Sequence, residues 1–113
     1  MASQYLTNSL ESFALLGLSL LASGVANAGD AALGKTKAAM CATCHGPLGL
    51  SQLPNAPHLA GQPAIYVVEQ LKNYRSGKRS HEVMAVLAKP LTNDDIDDLA
   101  AWYESIQITV TTK

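Results

Sequence analysis

The chain has 113 residues, enough for one domain. Eight lysines and arginines stand against nine acids, a net charge of −1, so the basic excess of a nucleic-acid binder is absent. The only two cysteines sit three positions apart, which excludes a disulfide framework joining distant parts of the fold.

In chain order, the first feature is an apolar block, FALLGLSLLASGVANA, from Phe13 to Ala28. It carries no charge and closes on Ala26-Asn27-Ala28, the small-x-small pattern of a secretory cleavage site. Residues 1–28 are read as a signal peptide and 29–113 as the functional domain. One feature departs from the pattern: Glu11 precedes the block where a Lys or Arg is usual. The competing reading is an uncleaved anchor, but the block is short against the roughly 20 residues that span hydrocarbon. Once the leader is removed, acids and bases balance and no phenylalanine remains. A domain this small needs a staple beyond its own core. These two cysteines cannot supply it, so something outside the polypeptide must.

Three segments read as helices. Asp30 to Met40 is alanine-rich, with an acid at its start and lysines later. Pro63 to Ser76 opens on a first-turn proline and stops at Gly77, with Val67, Leu71 and Tyr74 on one face. Thr92 caps the third, TNDDIDDLAAWYESI, with Asp95 at the capping-box position. Ile96, Leu99, Ala100 and Tyr103 form its buried stripe. Loops are expected over Gly46–Gln62 and Gly77–Leu91, and the ITVTT tail at 108–112 as frayed. Loops this long in a small all-helical domain imply that they wrap a ligand.

Cys41-Ala42-Thr43-Cys44-His45 has the spacing of c-type haem attachment. Two thiols at i and i+3 on a helix share a face, so both can reach the vinyl groups along one haem edge. His45 follows directly and can serve as proximal iron ligand. Other uses of these residues fit less well. A thioredoxin-like pair needs an α/β setting, a zinc site from Cys41, Cys44, His58 and His81 matches no common spacing, and a local disulfide stabilises little. For the sixth iron position Met84 is the sole downstream methionine. A thioether there favours ferrous iron and closes the site to outside ligands, which suits electron transfer. Core filler is the competing role for Met84. His81 is the rival axial ligand, read here as a solvated loop side chain, and His58 as packing or surface near the haem.

Lys72, Arg75, Lys78 and Arg79 gather at the end of the middle helix, and Asp94, Asp95, Asp97 and Asp98 at the start of the last. Both clusters suit the helix dipoles. A functional reading is a dipolar surface that orients the molecule towards a redox partner.

Together, GDAALGKTKAAMCATCHG, PNAPHLAGQPAIYVVEQLKNYRSGKR, EVM and LTNDDIDDLAAWYESI occur in an order that resembles class I cytochromes c, and among them a single domain of the dihaem cytochrome c-four type. The resemblance covers essentially all of 29–113. It implies an all-α class I cytochrome c fold, with three main helices and long loops wrapped around one covalently attached haem c. It implies Cys41 and Cys44 as thioether anchors and His45 and Met84 as axial ligands to the iron. It also implies that the Pro57 carbonyl accepts from the proximal histidine, and that Gly34 lets the first helix cross the last against Leu99 and Trp102. Dihaem members have a second domain; this chain has one haem motif.

The function so implied is a periplasmic monohaem electron carrier rather than an enzyme, serving redox protein partners. Membrane contact would come only through those partners or an uncleaved signal. The alternatives are a cytochrome subunit of a periplasmic oxidoreductase, such as a flavocytochrome sulfide dehydrogenase, and a peroxidase or gas-binding protein with an open sixth site.

Overall fold

Helix α5 (Asn93–Ser105) is the element on which the first and third helices pack. Its start is fixed by Thr92, which accepts from the Asp95 N–H at 3.1 Å while Asp95 accepts from the Thr92 N–H at 2.9 Å. The capping box read in TNDD is thus formed with Asp in its third helical position. Ile96, Leu99, Ala100 and Tyr103 are each no more than 2 % exposed, so the stripe read from the sequence is the buried face. The computed structural model describes residues 28–113; the leader expected over 1–28 lies, Ala28 apart, outside them. Among the described residues the architecture is all-α with no strand, no helix is long and apolar enough to cross a membrane, and the tail beyond 106 has no regular structure.

The first predicted helix is two helices end to end. Helix α1 (Ala31–Lys37) starts on Asp30, whose carboxylate accepts from the N–H groups of Ala32 and Leu33 at 2.8 and 3.0 Å. It breaks at Ala38 and resumes as α2 (Ala39–His45), so all of CATCH is helical. Ala38 is buried against Leu99 and Tyr103, and this packing holds the break in place. Gly34 sits where α1 meets α5. A Cβ there would overlap the Asp98 carbonyl and stand 2.8 Å from the Trp102 Cβ. The crossing therefore involves Asp98 and Trp102, where the resemblance placed Leu99 and Trp102.

Asp98, in the last helix's acidic run, is largely buried at this junction. It accepts from the Asp30 N–H at 2.7 Å and from Lys37 Nζ at 2.6 Å, and Lys37 also meets Asp95 at 2.9 Å. The Lys37 ammonium holds both carboxyls below the usual carboxylate range, Asp95 at about 2. Two of the four acids assigned to the helix dipole are thus bound to Lys37.

Helix α3 (Ala64–Ser76) begins one residue after Pro63, and its first N–H donates to Glu104 of α5 at 2.9 Å. It ends at Gly77, whose φ of 83° is left-handed, as the sequence predicted. Arg75 then reaches the Leu91 carbonyl at 2.9 Å and Asn93 Oδ1 at 2.7 Å, which ties the end of α3 to the start of α5. Arg79 bonds Gln70 at 2.6 Å and lies 4.7 Å from the Tyr74 ring centre. The predicted second loop holds a further element, α4 (Glu82–Ala88), packed on α3.

Two predictions follow from the α1–α5 junction. Gly34→Ala should lower the stability of the purified protein by at least about 1–3 kcal/mol, read as a drop in thermal midpoint. A carboxyl held near 2 in the fold but near 3.8 when unfolded stabilises the fold above pH 3.8, and that contribution is lost as pH falls towards 2. Lys37→Met should therefore flatten the fall in thermal midpoint across this window.

Candidate cofactor site

A cavity of about 390 Å³ lies between α2, α3, α4 and the Gly46–Gln62 loop, with α5 at its back. Among the described residues, few large side chains are almost completely buried, Ile96, Leu99 and Tyr103 of α5 foremost. The core of the described residues is small, and the middle of the fold is a gap lined mainly by apolar groups. Leu71 and Tyr74, two of the three residues read as a packing face on α3, are half-buried and line this cavity. Their face points at the gap.

Cys41, Cys44 and His45 line one part of the cavity, all delivered by α2. Both cysteines are free and half-buried, and His45 is 7 % exposed. Gly46, at φ 84°, turns the chain sharply after His45 and starts the return loop. That loop brings Pro57 back, and the His45 Nδ1 to Pro57 carbonyl distance is 2.8 Å. A carbonyl only accepts, so Nδ1 carries the proton and Nε2 keeps a free lone pair.

The other two histidines have the opposite tautomer. His58 Nδ1 accepts from the Ser51 N–H at 2.8 Å. His81 Nδ1 accepts from the N–H groups of Val83 and Met84, both at 3.2 Å, and so caps α4. An accepting Nδ1 places the neutral ring's hydrogen on Nε2, which then has no lone pair for a metal. Both rings line the cavity, but each would lose its structural bond on becoming a ligand through Nε2. His81 is therefore a helix cap rather than a plain solvated loop residue. The structure does not gather Cys41, Cys44, His58 and His81 into a metal-binding group.

Met84 lines the cavity from the first turn of α4, not from an irregular loop as the sequence suggested. Pro57, Met84, Cys41, Cys44 and His45 are thus all brought to one gap. Sequence reasoning missed Ser51, which is 9 % exposed. Its hydroxyl accepts from the Leu53 N–H at 3.0 Å and faces the carbonyls of Cys44 and Leu53 at 3.0 and 3.1 Å. It ties the end of α2 to the loop that carries Pro57. Only a buried serine after the motif would have hinted at this.

At the back of the gap, Cys41 packs beside Tyr103. Burial pushes the Cys41 thiol up, and the Tyr103 hydroxyl opposes the rise. Tyr103 is pushed up in turn by its own burial and by charge on Cys41. Its hydroxyl is buried without a completed hydrogen bond.

The chain's residues fit the haem expected from CATCH. The gap is apolar and open at one side, two thiols face it from a single helix face, and one imidazole there has a bare Nε2. A buried hydroxyl also lacks a partner. Ser51→Ala should cost about 1–3 kcal/mol, because it strands the Leu53 N–H and the Cys44 carbonyl, and denaturant titration would read the loss.

Comparison with known proteins agrees with this geometry. Residues 31–107 match the family model for cytochrome c. The chain is 43 % identical over 94 residues to cytochrome c4 of Pseudomonas aeruginosa, covering 82 % of this chain and 47 % of that protein. It is 42 % identical over 81 residues to cytochrome c-554(548) of Halomonas halodenitrificans, covering 69 % of this chain and 98 % of that one. Its backbone superposes on the crystal structure of reduced recombinant cytochrome c4 from Pseudomonas stutzeri with a TM-score of 0.68 at 37 % identity, over 74 % of this chain and 48 % of the other. The chain thus spans about half the length of the cytochrome c4 relatives it matches.

Proposed function

Because the chain belongs to the cytochrome c family, we propose that it is an exported single-haem electron carrier, with Cys41 and Cys44 as thioether anchors and His45 and Met84 as axial ligands. Bound haem c supplies a one-electron couple, its iron alternating between Fe(II) and Fe(III). The observation that carries the ligand assignment is the His45–Pro57 hydrogen bond. It leaves His45 as the one histidine of the three with a metal-ready Nε2, and it holds the imidazole plane fixed.

Met84 supports the electron-carrier reading in two ways. Its thioether is a soft donor suited to the ferrous state, and occupying the sixth position keeps oxygen and peroxide from the iron. The His81 cap holds the first turn of α4, and with it the Met84 backbone, against the cavity. An open-site peroxidase or gas-binding role has no such use for a methionine on a capped helix. The leader read over residues 1–28 supports export to the periplasm, the setting to which c-type attachment belongs.

Spectroscopy tests the assignment. The wild type should show haem bands when reduced and a weak far-red absorption when oxidised, and it should not bind carbon monoxide. Its denatured mass should exceed the processed polypeptide by one haem. Met84→Ala should lose the far-red band, bind carbon monoxide and show a lower reduction potential. A wild type that binds carbon monoxide as readily as the variant would overturn Met84 as ligand.

A further inference from the structure

Tyr103 presents a puzzle that the ligand set does not resolve. The residue is 2 % exposed, it lines the cavity, and its hydroxyl completes no hydrogen bond. Phenylalanine would fill the same space without a stranded polar group, so the hydroxyl calls for a partner that arrives with the cofactor.

Haem brings two kinds of acceptor. Its propionate carboxylates lie along one edge of the macrocycle, and the two sulfurs that bind it lie along the opposite edge. Tyr103 packs against Cys41, which belongs to the sulfur edge, so the carboxylates are on the far side. The acceptor within reach is the Cys41 sulfur. A free thiol is both a weak donor and a weak acceptor, so its pairing with the hydroxyl is not fixed in one direction. A thioether sulfur has no hydrogen and keeps its lone pairs for a donor.

We propose that in the haem-bearing protein the Tyr103 hydroxyl donates a hydrogen bond to the Cys41 sulfur and so acts as the positioning residue for that thioether. This rests on the attachment proposed above. The bond fixes the Cys41 side chain against α5, which couples the haem edge to the best-buried helix of the fold. It also points the positive end of an O–H dipole at the macrocycle in a site shielded from water. An added electron is favoured by that dipole, so the hydroxyl raises the reduction potential.

The test uses the haem-loaded protein. Intact mass after denaturation first reports whether haem is covalently bound, and a mass lacking it would overturn the attachment rather than this proposal. In the reduced, diamagnetic protein, proton NMR should show a slowly exchanging Tyr103 hydroxyl with an Overhauser contact to the Cys41 β protons. Tyr103→Phe should remove that signal, lower the thermal midpoint and shift the potential down. An unpaired hydroxyl predicts the reverse: no protected proton, a raised thermal midpoint in Tyr103→Phe, and an unchanged potential. That result, or an Overhauser contact to a propionate instead, would overturn the assignment. Should Tyr103→Phe fail to mature, the wild-type NMR decides alone.

Discussion

A 2.8 Å hydrogen bond from the His45 ring to the Pro57 carbonyl fixes the chemistry of this fold. It joins the last residue of α2 to a loop that has travelled twelve residues and returned. Without it the imidazole has neither a fixed plane nor a fixed tautomer. The surrounding loop serves that contact. Gly46 turns the chain, Ser51 bridges the end of α2 to Leu53, and His58 takes the Ser51 N–H. A loop without regular structure thereby becomes rigid by accumulating side-chain bonds to its own backbone.

The rest of the molecule supplies stability that the central gap cannot. With Ile96, Leu99 and Tyr103 the large described residues most fully out of solvent, hydrophobic burial is concentrated along one face of α5. The α1–α5 contact is closed at Gly34 and bound by Lys37 to Asp95 and Asp98, none of which lines the cavity. Leu99 and Tyr103 belong to both, packed in the core and lining the gap. A surround anchored in the core suits a group that changes charge, because it leaves little to rearrange when an electron arrives.

Much of this was legible in the sequence, and the omissions have physical causes. CATCH, the Thr92–Asp95 capping box, the stop at Gly77 and the α5 stripe are local signals, and local signals survive without tertiary context. Helix α4 was read as loop because its cap is His81, an unusual N-cap residue, and because it has two turns only. The break at Ala38 leaves no trace in an alanine-rich run; it depends on Leu99 and Tyr103, more than sixty positions away. Asp95 and Asp98 were assigned to the helix dipole since nothing local announces that Lys37 will meet them. Ser51 escapes for the same reason, as does the bond by which His58 accepts its N–H. Candidate site residues are legible where chemistry demands a spacing, whereas contacts made only in the folded chain, such as those of Ser51, are not.

That distinction explains why the three histidines could be ranked only in part from sequence. Adjacency to Cys44 selects His45, but it gives no physical ground for setting His81 aside, three residues from Met84 and lining the same cavity. Hydrogen-bond direction supplies the ground. A carbonyl opposite Nδ1 makes the ring a donor there and a base at Nε2; an N–H opposite Nδ1 does the reverse. The backbone thus sets the tautomers by offering one ring an oxygen and the other two rings hydrogens. A proline carbonyl twelve residues downstream leaves the His45 Nε2 lone pair free on the ring that follows Cys44.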